Sequence, residues 1–316
     1  MITGEHIFIT GGAGFLGKNL VRRYYKDNEI TIYSRDEAKH YFLKKEFPKI
    51  HCVIGDVRDF ERLNNAARGC TIGIFTASLK QVEAVDENPE VAIETIIQGG
   101  INSRKVAIAN NFKAATFIST DKSRAATTLY GAMKFVGGEL FILNAEREKP
   151  LLSAVIYGNV FNSTGSIIPL IWDAIAKNYE LALYGEEMTR FMIEIEAAID
   201  CVEVALKDTG ASIVPALHSM RIKDLFEIYA ERFGLRYHVG VPRISEKLHE
   251  QMIAHAEAPR TSFNPSTNMY RIHYKEISGT VTLPIEGYSS EHHLLTKQEL
   301  DALLKKHDYY KGSPFM

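Results

Sequence analysis

The chain has 316 residues, 46% hydrophobic and 24% charged, enough for a sizeable core in one large domain or two closely packed lobes. A formal net charge of −2 gives no electrostatic basis for binding nucleic acid or a membrane surface. Cys52, Cys70 and Cys201 are widely spaced without a CxxC, and the histidines form no HxxH or HExxH pattern, so neither a disulfide framework nor a metal site is expected. Gly4, Glu5 and His6 precede only a short apolar strand, and no apolar run approaches the ~20 residues of a membrane span. A cytoplasmic protein is expected.

In chain order, apolar strands alternate with helical stretches. His6 to Thr10 predicts a strand, and a glycine-rich turn leads into a helix through about Lys26. Strands at Glu29 to Tyr33, His51 to Ile54 and Ile72 to Thr76 are separated by helices over Asp36 to Glu46 and Phe60 to Ala67. A long helix runs from about Pro89 to Asn110. The strand Ala114 to Ser119, a helix opening at Tyr130 and the strand Ser153 to Tyr157 follow. Such βαβ alternation predicts a Rossmann-type, doubly wound parallel sheet with helices on both faces. After Asn159 the pattern becomes mixed: a helix over Ile167 to Lys177, a strand at Leu181 to Tyr184, a strand and helix at Ile213 to Pro215 and Ile222 to Phe233, and a last helix over Thr296 to Lys306. Residues 1–160 plus about 192–235 are expected to form the nucleotide-binding domain. About 161–191 plus 236–316 form a smaller α/β lobe over the carboxyl edge of the sheet.

The stretch Thr10-Gly-Gly-Ala-Gly-Phe-Leu-Gly17 follows a strand and opens a helix, the context a dinucleotide fingerprint demands. Gly11 serves the tight turn, Gly14 the approach of a pyrophosphate, and Gly17 the packing of helix on strand. The helix N-terminus adds donors for phosphate. Ser34 and Arg35 precede Asp36 at the end of the second strand, which favours NADP, with NAD as the alternative. Asp56 in Gly55-Asp-Val57 is placed to meet the adenine amino group. Tyr130 and Lys134 are four apart and share a helix face, where an ammonium would stabilise a phenolate. Asp121 and Lys122 form an adjacent acid and amine where a strand ends. An oxidation and a further acid/base step are both within reach of these four side chains. Ser163, Ser166 and Ser219 lie outside any nucleophile elbow.

These residues resemble the extended short-chain dehydrogenases/reductases and, more narrowly, the inverting UDP-N-acetylglucosamine 4,6-dehydratases of pseudaminic acid and capsular sugar biosynthesis. The likeness runs nearly end to end. It passes through Tyr33-Ser-Arg-Asp-Glu37, Ile54-Gly-Asp-Val-Arg-Asp59, Ala77-Ser-Leu-Lys-Gln-Val82, Ser119-Thr-Asp-Lys122 and Tyr130-Gly-Ala-Met-Lys134. It continues in Tyr157-Gly-Asn-Val160, Gly165-Ser-Ile-Ile-Pro169, Met188-Thr-Arg-Phe191, Ser219-Met-Arg-Ile-Lys-Asp-Leu225, Glu246-Lys-Leu-His-Glu250 and Tyr288-Ser-Ser290. The Thr-Asp-Lys triplet is the most specific, because retaining dehydratases end it in glutamate and 4-epimerases lack the acid/base pair.

The resemblance implies that Tyr130, helped by Lys134, takes the 4-hydroxyl proton as hydride passes to the nicotinamide. Lys122 then removes the proton from carbon 5, and Asp121 protonates the departing 6-hydroxyl. Return of hydride to carbon 6 and of a proton to the other face of carbon 5 gives UDP-2-acetamido-2,6-dideoxy-β-L-arabino-hex-4-ulose. A neutral Lys122 is then expected, its proton affinity depressed by burial or by Lys80. The likeness also implies cofactor contacts at Phe15, Leu16, Val57 and Ala77. It places Lys80 near the sugar, and Asn159, Ser166, Arg190, Arg243 and Glu246 around uracil, ribose and diphosphate. By analogy a homo-oligomer is expected.

Departures from the family pattern are Ile156 in place of arginine, Ile96 in place of asparagine, Ser123 to Leu129 in place of Asn-Pro-x-Asn, and Gly210-Ala-Ser-Ile-Val-Pro-Ala216. They are expected to touch the substrate pocket more than the catalytic quartet. A UDP-sugar 4-epimerase or 4-ketoreductase is the alternative activity. A non-catalytic NADP-binding scaffold is the alternative outside enzymology.

Overall fold

A computed structural model of the chain describes residues 1–242, 244–275, 277–278 and 281–311. At its centre is a nine-stranded sheet. Seven strands are parallel: β1 (His6–Thr10), β2 (Glu29–Ser34), β3 (His51–Ile54), β4 (Ile72–Phe75), β5 (Ala114–Ile118), β6 (Leu151–Val155) and β7 (Ala211–Pro215). Two more, β8 (Thr261–Asn264) and β9 (Met269–His273), add antiparallel beyond β7. The order is β8-β9-β7-β6-β5-β4-β1-β2-β3, so the winding reverses at β1, where β2 lies on one side and β4 on the other. A crevice opens beyond the carboxyl ends of strands at such a reversal, which is where open α/β sheets place ligands.

The strands read as apolar runs because both faces of the sheet are covered. Side chains alternate between faces: Ile7 and Ile9 of β1 join one apolar cluster, while Phe8 joins the other. The first cluster includes Leu20 and Val21 of helix α1 (Phe15–Tyr24). Helix α2 (Glu37–Glu46) adds Leu43 to the same side. The second cluster takes Leu63 from α3 (Phe60–Ala66). Two short helices, α4 (Val82–Glu87) and α5 (Pro89–Ala92), lead to a π-helical segment, Ile93–Gln98, and then to α6 (Gly99–Ala109). The single long helix expected over this stretch is therefore three helical segments, and π-helical turns of this kind recur beside functional sites. Helix α7 (Leu129–Ile142) packs Phe141 against Phe117 and Phe75.

A separate apolar cluster holds the smaller part of the molecule together. It joins Ile168 and Ile171 of α8 (Ile167–Lys177) to Leu225, Phe226 and Tyr229 of α10 (Ile222–Phe233) and to Leu300 and Leu304 of α11 (Lys297–Lys306). Helix α9 (Ile195–Ala205) returns instead to the main sheet, adding Ile199 and Val202 to the first cluster. Strands β8 and β9 come from the stretch read as the second lobe, yet they extend the main sheet. Among the described residues no helix is long and apolar enough to cross a membrane.

Candidate active site

The carboxyl end of β5 runs into a single 3-10 turn, Asp121–Ser123. Three local bonds fix it: Asp121 N–H donates to the Tyr157 carbonyl (3.1 Å), Ser123 Oγ donates to the Thr120 carbonyl (2.6 Å), and the Thr120 hydroxyl accepts from Lys122 N–H (3.4 Å). Helix α7 starts close by, with the Thr128 hydroxyl capping it through Gly131 N–H at 3.1 Å. A Cβ at Gly131 would lie 2.2 Å from the Lys122 carbonyl oxygen, so only glycine lets helix and turn approach this closely. That contact brings Tyr130 against Thr120, Asp121 and Lys122.

Lys122 Nζ lies 3.3 Å from Asp121 Oδ1, 3.0 Å from Glu250 Oε1 and 3.5 Å from Asn159 Oδ1. Asp121 is wholly buried and Glu250 nearly so. Burial works against the ammonium, but Asp121 and Glu250 outweigh it and raise the proton affinity of Lys122. The expectation of a neutral Lys122 is thereby corrected for the ligand-free protein. Lys80 is not among the groups that shift Lys122: burial lowers its own proton affinity, and its ammonium donates to the Thr164 carbonyl. The Asp121 carboxyl is raised as well: burial is the largest cause, with Lys122 opposing and Glu250 adding to the rise. A buried carboxylate whose proton affinity is raised, beside an ammonium, makes an acid/base pair between which a proton can pass.

Tyr130 is buried, and that burial pushes its phenol up to about 12, against the opposing effects of the Lys122 ammonium and the Thr120 hydrogen bond. Lys134 does not lower it. Its Nζ donates 2.8 Å to the Ile118 carbonyl and lies 4.8 Å from the centre of the Phe117 ring, and burial brings its proton affinity down to about 7. The expected direct pairing of Lys134 with the phenol is corrected: Lys122 is the cation that acts on Tyr130.

On the nucleotide side, a Cβ at Gly17 would meet Gly12 Cα at 2.5 Å, so α1 rests directly on the turn after β1. A Cβ at Gly14 would meet only the Gly11 carbonyl, at 3.1 Å, and Gly14 N-caps α1 without a side-chain cap. The turn therefore presents backbone, while Phe15 opens α1 and Leu16 packs against the first apolar cluster. Asp36 is occupied as the N-cap of α2, accepting from Lys39 N–H at 3.0 Å. Arg35, more than half exposed, reaches Asp56 at 3.9 Å, and Ser34 Oγ bonds His40 Nε2 at 2.6 Å. Val57 is buried and Ala77 N–H donates to Thr10 Oγ1 at 3.3 Å. These residues fit a dinucleotide whose diphosphate meets the glycine turn.

The expected substrate residues divide. Asn159 stands at Lys122. Arg190 is buried, donates to the Thr189 carbonyl at 2.7 Å and pairs with Glu246. Ser166 N-caps α8 with its Oγ buried and unpartnered. Arg243 lies outside the described residues. Ile156 and Ile96 do not open onto a pocket. Ile156 is fully buried among Phe191, Val214 and Met252, and Ile96 packs with Tyr130 and Met133. Sequence reasoning missed Glu250, although it ends the motif Glu246-Lys-Leu-His-Glu250. A carboxylate four residues after Glu246 carried no signal that it returns to β5.

A glycine turn opening a helix and a Tyr/Asp/Lys cluster at the carboxyl edge of a doubly wound sheet are the marks of an enzyme of the extended short-chain dehydrogenase/reductase class. The chain belongs to the family described as polysaccharide biosynthesis protein, matched over residues 7–272. It is 36% identical to a UDP-N-acetylglucosamine 4,6-dehydratase (inverting) of Campylobacter jejuni, over 80% of this chain and 79% of that one. It is 31% identical to a UDP-glucose 4-epimerase of Rickettsia massiliae, over 81% and 80%. Among solved structures, that of Pen from Bacillus thuringiensis superposes with a TM-score of 0.88 at 25% identity, covering 97% of this chain and 99% of that one.

Proposed function

We propose that this protein is a UDP-N-acetylglucosamine 4,6-dehydratase that inverts carbon 5. The observation that carries the reading is the juxtaposition of a buried Asp121, its proton affinity raised by that burial, with Lys122 and Tyr130 at one strand end.

Tyr130 accepts the proton of the 4-hydroxyl, and the Lys122 ammonium together with the Thr120 hydroxyl stabilises the phenolate. A nicotinamide bound beside Tyr130 supplies a reversible hydride acceptor for carbon 4 and a donor for carbon 6. Once carbon 4 is a ketone the proton on carbon 5 is acidic, and Lys122, having passed its own proton to the Asp121 carboxylate 3.3 Å away, takes it. Asp121 gives its proton to the 6-hydroxyl, which leaves as water. Carbon 5 is reprotonated from the opposite face, so the overall change is loss of one water with inversion.

NADP is the cofactor in this reading. Gly11, Gly14 and Gly17 meet the diphosphate, Ser34 and Arg35 the 2′-phosphate, and Asp56 the adenine. With Asp36 committed to a helix cap, no free acidic side chain stands first at the end of β2 to claim a 2′-hydroxyl. Lys80, Asn159, Ser166, Arg190, Arg243 and Glu246 serve the UDP-sugar, the first two from the nucleotide-binding part and the other four from the smaller lobe.

The second reading, a 4-epimerase, draws on the Rickettsia relative. It uses Tyr130, with Lys122 as the cation beside it, but has no work for Asp121 as a proton donor or for Lys122 as a carbon-5 base. Incubation with UDP-GlcNAc followed by mass spectrometry separates the two: a dehydratase yields a product lighter by one water, and Lys122→Ala abolishes it. An epimerase gives no mass change.

A further inference from the structure

Glu250 reaches the active site from far along the chain and is held there on both sides of its own peptide unit. Its N–H donates to Ser290 Oγ at 2.9 Å and its carbonyl accepts from Ser290 N–H at 2.8 Å. Ser290 is itself wholly buried and bonds the Thr189 hydroxyl at 2.7 Å. The Glu250 carboxylate is thus aimed by fixed backbone. One oxygen lies 3.0 Å from Lys122 Nζ and the other 3.4 Å from Lys247 Nζ, and Lys247 also donates to the Arg124 carbonyl at 2.7 Å.

Asp121 Oδ1, Glu250 Oε1 and Asn159 Oδ1 offer three acceptors, as many as an ammonium has N–H groups. The other charged or titratable groups around it are Arg190, on the neighbouring strand and itself paired with Glu246, Lys247 beyond Glu250, and Tyr130 on α7. Asp121 and Glu250 are therefore the anions that hold the Lys122 charge, and Arg190 opposes them.

We propose that Glu250 is a positioning residue for Lys122: its carboxylate, pinned by Ser290, fixes the amine beside Asp121 and Tyr130 and governs how readily that amine gives up its proton. The proposal rests on the reading of Lys122 as the carbon-5 base. It adds that the base is supplied in a protonated, oriented form and must be released before each elimination. Burial of the Glu250 carboxyl opposes its charge, but Lys122, Arg190 and Lys247 together keep it ionised, so the pair is ionic in the resting protein. Removing the carboxylate takes away one of two anions and leaves burial to favour the neutral amine.

The test compares wild type, Glu250→Gln and Glu250→Ala by two readouts. The first is the rate at which acetic anhydride acetylates Lys122 at one fixed alkaline pH, measured on the Lys122 peptide by mass spectrometry. This needs no substrate, and a quarter of the Lys122 side chain is open to solvent. The second is the pH profile of kcat for UDP-GlcNAc dehydration. Glu250→Gln, which keeps the shape, should acetylate at least about tenfold faster, a one-unit fall in pKa, and should move the rising limb of kcat to lower pH by a similar amount. Glu250→Ala should label faster too, but with a lower plateau of kcat, because the amine loses its orientation. Equal labelling rates in wild type and Glu250→Gln, with unchanged thermal midpoints, would overturn the proposal. If wild type leaves UDP-GlcNAc intact while labelling still accelerates in Glu250→Gln, the functional reading fails and the hold of Glu250 on Lys122 stands.

Discussion

Lys134 Nζ and the Ile118 carbonyl oxygen are 2.8 Å apart, so the lysine of α7 reaches under the helix to the last residue of β5. It also lies against the face of Phe117, and burial lowers its proton affinity to about 7. The unfolded chain holds the same proton to about pH 10.4. Between those limits the unfolded state binds more protons, so stability rises with pH, and the full penalty of the buried ammonium applies below about pH 7. In cofactor-stripped protein, Lys134→Met should therefore melt higher than wild type at about pH 6, and the gap should close towards about pH 10. Thermal midpoints across that range decide it, and parallel curves would refute the buried, weakly basic lysine.

Gly131 is where α7 meets the Asp121–Ser123 turn. The 2.2 Å separation that a Cβ would have from the Lys122 carbonyl demands movement of backbone rather than of a flexible side chain. Gly131→Ala should cost about 1–3 kcal/mol of stability and lower kcat at least tenfold as the turn shifts Lys122 from Tyr130. Urea unfolding and steady-state rates measure the two effects. Retention of full activity would mean that the turn is not fixed by this contact.

Ile156 stands where the resemblance leads one to expect arginine, and it is enclosed by Phe191, Val214 and Met252 without exposure. Restoring the arginine would bury a cation with no acidic partner in that cluster. Ile156→Arg should destabilise the protein by about 3 kcal/mol or more and should not raise activity. Thermal unfolding checks the first outcome, and turnover with UDP-GlcNAc the second.

Arg35 is the exposed cation at the end of β2, and its guanidinium lies 3.9 Å from Asp56. Arg35→Ala should weaken NADP binding about tenfold or more while leaving NAD binding nearly unchanged, because only the 2′-phosphate gains a charge-assisted contact there. Calorimetric titration of both cofactors gives the ratio. An equal loss for both would remove the case for NADP.

Much of this was legible in the sequence because the signals were local. The apolar run His6 to Thr10 and the glycine turn after it recur as β1 and the N-terminus of α1. Thr296, Asp36 and Asp59 cap the helices they precede. What escaped depended on distant contacts. In the strands Thr261–Asn264 and Met269–His273 polar residues interrupt the apolar ones, and it is the pairing of β9 with β7, and of β8 with β9, that makes them part of the main sheet. Tyr130 and Lys134 were placed on one helix face by their spacing, as they are, but spacing does not reveal that the Ile118 carbonyl captures the amine. The ionic state of Lys122 was misjudged for a similar reason: its second carboxylate partner, Glu250, arrives from another part of the chain.

The central claim is water elimination with inversion at carbon 5. Proton NMR of the purified enzyme with UDP-GlcNAc in heavy water, without added cofactor, tests it directly. The account predicts a new 6-methyl signal, deuterium at carbon 5 and ring couplings of the L-arabino configuration. Conversion to UDP-GalNAc without a methyl signal, or a spectrum that stays unchanged even after NADP is supplied, would contradict it.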